Sequence, residues 1–160
     1  MITVASRFLF DITMYAPEQV ALDADAVQAI LPHSGSMRQL DHVIHVDRAS
    51  SHSLGVKHVH EDEFWVSGHF PDRAVLPGVL QLEAAAQMCC VHYYTRMGLL
   101  QVMGFTRCQN ASFRQVIVPG DTLYLLVEEQ SINSRRFVCR TQGITDGQLA
   151  FEAEITGMAI

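Results

Sequence analysis

Apolar and polar positions along the chain fall into two different rhythms. Residues 43–47 and 54–60 alternate with a period of two, which predicts two strands joined through a turn at Ser50, Ser51 and His52. A second group of strand-like segments follows at 102–114, 122–130, 136–145 and 148–157. Asn133-Ser134 and Asp146-Gly147 supply hairpin turns between them, and Pro119-Gly120-Asp121 marks another break. Between the two groups, residues 77–97 contain LQLEAAAQMCCVHYY, a run with almost no polar surface. Pro77 suits a first helical position and Gly98 a C-terminal cap, so this segment predicts one long helix enclosed on most sides.

Upstream, Asp23 or Asp25 caps a short helix through Ile30, which Pro32 stops. The order is then two strands, a nearly apolar helix and an antiparallel meander. An α+β fold with a curved antiparallel sheet wrapped around one central helix satisfies this order. Such a sheet has one face on the helix and one face open, and its unpaired edges invite a second copy, so a dimer is expected. No repeat or linker divides residues 25–160, which read as a single domain behind an N-terminal extension, 1–24, of unassigned structure.

Composition narrows the function. The 160 residues are 49% hydrophobic and 18% charged, with a formal net charge of -6, which argues against a nucleic-acid binder, since that would need a basic face. Lys57 is the only lysine, so positive charge is carried by arginine, which pairs with carboxylates and phosphates in a bidentate manner. Arg107, Arg114, Arg135, Arg136 and Arg140 fit a patch for an acidic partner and an ordinary solvated strand face about equally well. Cys89, Cys90, Cys108 and Cys139 lack metal-site spacing and read as buried free thiols of a reducing cytoplasm. The first ten residues carry no convincing leader, and no apolar run is long enough to span a bilayer. Five histidines, His42, His45, His52, His58 and His60, lack a completing carboxylate or thiol at ligand spacing, so they read as strand residues and no metal is expected. Phe64 and Trp65 read as core.

The candidate chemistry lies at 68–87, GHFPDRAVLPGVLQLEAAAQ. His69 sits in a loop beside glycine and proline, and Glu83 is a carboxylate inside an apolar helix. Desolvation is expected to raise its pKa and favour the neutral acid. A neutral carboxylic acid and a neutral histidine make a general acid and a general base. Gln87, one turn later on the same face, is placed to orient the carboxyl. Gly78 stands in the first turn, where free backbone N–H groups and the positive end of the helix dipole make a plausible oxyanion site.

This segment resembles the FabZ-type 3-hydroxyacyl-acyl carrier protein dehydratases, whose pattern reads GHFPxRPxMPGVLxxEAMAQ. The likeness extends to Leu31-Pro32-His33, Leu40-Asp41, Phe113-Arg114 and Val118-Pro119-Gly120-Asp121. It implies a hot-dog fold and elimination of water from a 3-hydroxyacyl thioester, with His69 and Glu83 as the catalytic residues. It also implies that the Gly78 N–H holds the thioester carbonyl and that the Val75 carbonyl fixes the histidine ring. Phe70, Pro77 and Gln87 complete the substrate-binding set. The site would be shared across a homodimer, with three dimers forming a hexamer. The acyl group would arrive on the phosphopantetheine of acyl carrier protein, with no metal or redox cofactor. Only this resemblance favours a carrier-protein patch near Arg107 and Arg114. Residues 32–43, PHSGSMRQLDHV, lack the aromatic and basic residues that the family carries after the histidine, which leaves a specialised lipid or polyketide route open beside fatty-acid synthesis. A hot-dog thioesterase and a non-catalytic acyl-binding protein are the competing readings. The family likeness and the histidine-to-glutamate spacing disfavour both.

Overall fold

The computed structural model describes residues 7–160. The reading of the N-terminus as leaderless falls partly on positions 1–6, outside the described residues. Six strands, β1 (His42–His45), β2 (His52–His58), β3 (Met103–Phe113), β4 (Thr122–Asn133), β5 (Arg136–Thr145) and β6 (Gln148–Ala159), form one antiparallel sheet in the order β1-β2-β4-β5-β6-β3. Bulges interrupt β1, β3, β4 and the β5–β6 pairing, which bends the sheet. Two helices accompany it: α1 (Ala24–Ile30) and α2 (Gly78–Met97).

Local chemistry sets these elements as the pattern foresaw, with small shifts. Asp23 caps α1 by accepting from the Ala26 N–H at 2.9 Å. Gly98 closes α2 in the left-handed conformation, with φ 66°, and its N–H reaches the Tyr94 carbonyl. Pro77 stands one position earlier than expected, as the cap residue, so Gly78 is the first helical residue. Asp146 and Gly147, with φ of 48° and 69°, make the tight β5–β6 turn. The β1–β2 connection occupies 46–51 instead of 50–52, because His52 already pairs with Glu128 of β4.

The α2 segment from Ala84 to Tyr94 is buried without interruption and packs on the inner face of the sheet. There the sheet must come close, and glycines allow it. A Cβ built on Gly143 would lie 2.1 Å from the buried Phe151 ring. Gly143→Ala is therefore expected to destabilise the fold by about 1–3 kcal/mol through overpacking, measured as a lower denaturation midpoint at constant m.

The outer face differs from the open surface expected. Ile44, Leu54, Val56, Leu126 and Ile144 form a second apolar cluster, covered by Phe8, Leu9, Phe10, Ile12 and Tyr15. Gln142 pins this cover by accepting from the Leu9 N–H at 2.8 Å and donating to the Arg7 carbonyl at 3.2 Å. The sheet edges are unequal. Leu22 bridges Val43 of β1, whereas the long strand β3 is exposed over most of its length. Cys108, on β3, is exposed for this reason, unlike Cys89, Cys90 and Cys139, which are buried. Phe64 is also exposed and does not join the core; Trp65 beside it does. No helix among the described residues is long and apolar enough to cross a membrane.

Candidate active site

A chain of contacts fixes the loop that carries His69. Lys57, buried on β2, donates to both oxygens of Glu63 at 3.0 Å. Burial pushes the Glu63 carboxyl up, but the His60 N–H, the Trp65 indole and Lys57 outweigh it and hold the group below its ordinary value. The Trp65 indole donates to Glu63 at 2.9 Å, and the Trp65 carbonyl accepts the His69 N–H at 2.8 Å. Sequence reading missed this anchor, although a lone lysine in an apolar strand was a signal for it.

His69 and Val75 are joined twice. The Val75 N–H donates to the His69 carbonyl at 2.8 Å, and His69 Nδ1 lies 2.7 Å from the Val75 carbonyl oxygen. A carbonyl oxygen only accepts, so Nδ1 carries the proton, which leaves Nε2 as the nitrogen that can present a lone pair. Phe70 stacks on the imidazole with centroids 4.2 Å apart and is itself exposed.

The start of α2 supplies free donors. The first helical hydrogen bonds run from the Leu80 and Gln81 N–H groups to the Pro77 carbonyl, at 2.9 and 3.1 Å. The Gly78 and Val79 N–H groups precede them and have no partner within the helix. A Cβ at Gly78 would sit 3.0 Å from the Phe113 ring, so glycine lets that ring pack closely against the helix start. Phe113 was read only as part of a family likeness, and its place over Gly78 was not foreseen.

Glu83 lies about 7.5 Å further along the axis, five residues at 1.5 Å each. Gln87 donates from Nε2 to Glu83 Oε1 at 2.8 Å and to the Met37 carbonyl at 2.6 Å, while its Oε1 accepts the Gln39 N–H at 2.9 Å. His33 Nε2 stands 3.3 Å from the same Glu83 Oε1. The expected upward shift of Glu83 is corrected here. Burial does push its carboxyl up, but the contacts from His33 and Gln87 outweigh it and leave the group below its ordinary value. A cavity of about 160 Å³ opens beside Glu83, walled by His33, Ala86, Cys90, Met103, Phe105 and Phe137 among others.

The structure thus assembles His69, Phe70 and Val75 in one group and Glu83 and Gln87 in another, with Gly78 and Pro77 at the helix start between them in sequence. Among the described residues no hydrogen bond or ion pair joins His69 to Glu83, and His69 does not line the cavity beside Glu83. Nor does any group of three His, Cys, Asp or Glu side chains stand ready to hold a metal ion among the described residues. His42 and His58, like His45 and His52, instead make ring contacts in pairs, with Tyr15 donating to or accepting from His52 Nε2 at 2.9 Å.

A bent antiparallel sheet wrapped on one long buried helix defines a hot-dog protein, and solved structures share that fold. A dehydratase heterocomplex, ApeI:P from Xenorhabdus doucetiae, superposes with a TM-score of 0.72 at 18% identity, over 84% of this chain and 90% of that one. The chain belongs to the FabA-like domain family, whose model matches residues 31–154. It is similar to a 3-hydroxyacyl-[acyl-carrier-protein] dehydratase FabZ of Agrobacterium fabrum, 36% identical over 137 residues, covering 84% of this chain and 87% of the relative. A FabZ of Clostridium botulinum (strain Kyoto / Type A2) is 33% identical over 135 residues, covering 84% and 93%. The likeness read from residues 68–87 thus extends over residues 31–154.

Proposed function

We propose that this protein removes water from 3-hydroxyacyl thioesters carried on acyl carrier protein, giving trans-2-enoyl thioesters for fatty-acid or related lipid synthesis. The observation that carries the reading is the His69 Nδ1 contact with the Val75 carbonyl, which leaves Nε2 as an available base. The FabZ names of the relatives supply the substrate class.

In this reading His69 Nε2 takes the α-proton while the Gly78 N–H holds the thioester carbonyl against the developing enolate charge. The C3–O bond breaks as the protonated form of Glu83 gives its proton to the leaving hydroxyl, and the electron pair of the C–H bond becomes the new double bond. That form is a minor fraction near neutral pH, because His33 and Gln87 hold the carboxyl below its ordinary value. Two protons move, and the one taken by His69 must pass back to the Glu83 carboxylate through solvent before the next turnover. No electrons are exchanged with a second reactant, so the reaction balances without a cofactor. Gln87 orients Glu83, Phe70 walls the approach to His69, and Pro77 fixes the start of the helix. Residues 25–160 carry this chemistry, with Phe8, Leu9, Phe10, Ile12 and Tyr15 covering the outer face.

Among the described residues no hydrogen bond or ion pair joins His69 to Glu83, so the reading calls for two copies, each lending one residue to the other's site. The exposed strand β3 is the edge along which they would join, and three such dimers would make the hexamer. Arg107 and Arg114 serve as the carrier-protein contact; Arg114 is already paired with Glu152, which leaves Arg107 the greater share. Four free thiols suit a cytoplasmic setting.

Incubating the protein with a 3-hydroxyacyl thioester tests the reading. Growth of enoyl absorbance without release of free thiol is expected; release of thiol would instead make the protein a thioesterase. Gly78→Val should lower kcat/KM by about 10²-fold, the scale of a lost oxyanion contact, because its side chain crowds the approach to the Gly78 N–H and pushes against the half-exposed Phe113 ring.

A further inference from the structure

We infer that His33 is a positioning residue of this site, holding the Glu83 carboxylate through Nε2 and stabilising it as Glu83 parts with its proton. The inference rests on the dehydratase reading of Glu83 and adds a third side chain to it.

The geometry has three parts. His33 Nε2 and Gln87 Nε2 converge on the same oxygen, Oε1, at 3.3 and 2.8 Å. Oε2 receives no hydrogen bond from the described residues and is the oxygen left for a substrate. A carboxylate oxygen only accepts, so in this contact Nε2 of His33 carries the proton. Nδ1 is buried without a protein partner and presents a lone pair, a smaller penalty than an orphaned N–H.

The segment carrying His33 is fastened to α2 at this level. Leu31, buried, ends α1, and the Met37 carbonyl and Gln39 N–H both bond to Gln87, whose amide also holds Glu83. One buried amide therefore sets the distance between the His33 segment and the carboxylate. The other groups facing Glu83 are few. From α2 comes Cys90, whose thiol is pushed up to about 12 by burial and by the charge of Glu83, and which is therefore neutral. β3, β5 and β6 contribute only Met103, Gly104, Phe105, Phe137 and Ile155 to the cavity. In the proposed dimer His69 of the second copy would be the remaining titratable neighbour. Among the described residues His33 is thus the one basic side chain in contact with Glu83, and its removal should be felt by that carboxyl first.

When Glu83 protonates the leaving hydroxyl, its O–H bond breaks and a carboxylate forms, and both donors on Oε1 strengthen toward that charge. In the reverse direction the carboxylate is the base that activates water. The hydration rate should fall as pH drops through the Glu83 titration. Without His33 that titration lies higher, so the loss begins at a higher pH.

Two readouts test the inference: the carbon-13 titration of the Glu83 carboxyl, assigned with Glu83→Gln, and the pH profile of enoyl-thioester hydration. Both are measured for wild type, His33→Ala and His33→Gln. In His33→Ala the titration should rise by about one unit, the acid limb should move with it, and kcat should fall about tenfold. His33→Gln, which keeps a donor, should lie between. An unchanged carboxyl titration in His33→Ala, or in His33→Gln if the alanine variant does not fold, would overturn the inference. A wild type with no hydration at all would sink the dehydratase reading instead, and the carbon-13 titration would still decide the role of His33.

Discussion

His69→Ala is expected to lose dehydration activity by about 10²–10⁴-fold, the range of a deleted general base, while its melting temperature changes by only a few degrees. The two halves of this expectation have separate causes. The imidazole presents its Nε2 lone pair, because Nδ1 is spent on the Val75 carbonyl. The loop itself is held by other bonds. The His69 N–H reaches the Trp65 carbonyl and the His69 carbonyl accepts from Val75, and both are backbone contacts that alanine keeps. The substitution removes one side-chain hydrogen bond, worth about 1 kcal/mol. Rates from enoyl absorbance and a thermal melt on the same samples check both halves. A variant that keeps its activity would remove His69 from the mechanism and favour a binding role for the domain.

The second expected result concerns two dead variants that become active together. His69→Ala and Glu83→Gln should each be inactive alone. Unfolded together and refolded, they should regain about a quarter of wild-type activity, since random pairing makes half the dimers mixed and each mixed dimer holds one intact site of two. The motive is that His69 and Glu83 of one chain share neither a hydrogen bond nor a cavity wall among the described residues. Activity of the mixture at the level of the separate variants would place both residues in one subunit's site or outside the reaction.

The elements that were legible in the sequence are those fixed by local chemistry. α2 could be read because Pro77 and Gly98 bracket a run that has no polar face, and the β5–β6 hairpin because Asp146-Gly147 accepts positive φ. His69, Gly78, Glu83 and Gln87 were visible because their spacing lies within one loop and one helix. What escaped depends on contacts between distant segments. His33 meets Glu83 across 50 positions, and reading Glu83 from its apolar neighbours alone gave the wrong direction for its titration. Burial was the only effect visible in sequence, and the two donors that outweigh it were not. The cover on the outer face escaped for a similar reason. Phe8 to Tyr15 follow neither helical nor strand periodicity, and their apolar side chains find their partners on β1, β2, β4 and β5.

The account's central claim is that the reaction moves a proton at the α-carbon through His69 and cleaves a carbon–oxygen bond, leaving the thioester intact. Hydration of a trans-2-enoyl thioester in deuterium oxide, with the product analysed by mass spectrometry and proton NMR, tests this most directly. The predicted product is a 3-hydroxyacyl thioester with a single deuterium at C2, formed by wild type and not by His69→Ala. A free carboxylic acid and free thiol, with C2 unlabelled, would contradict it.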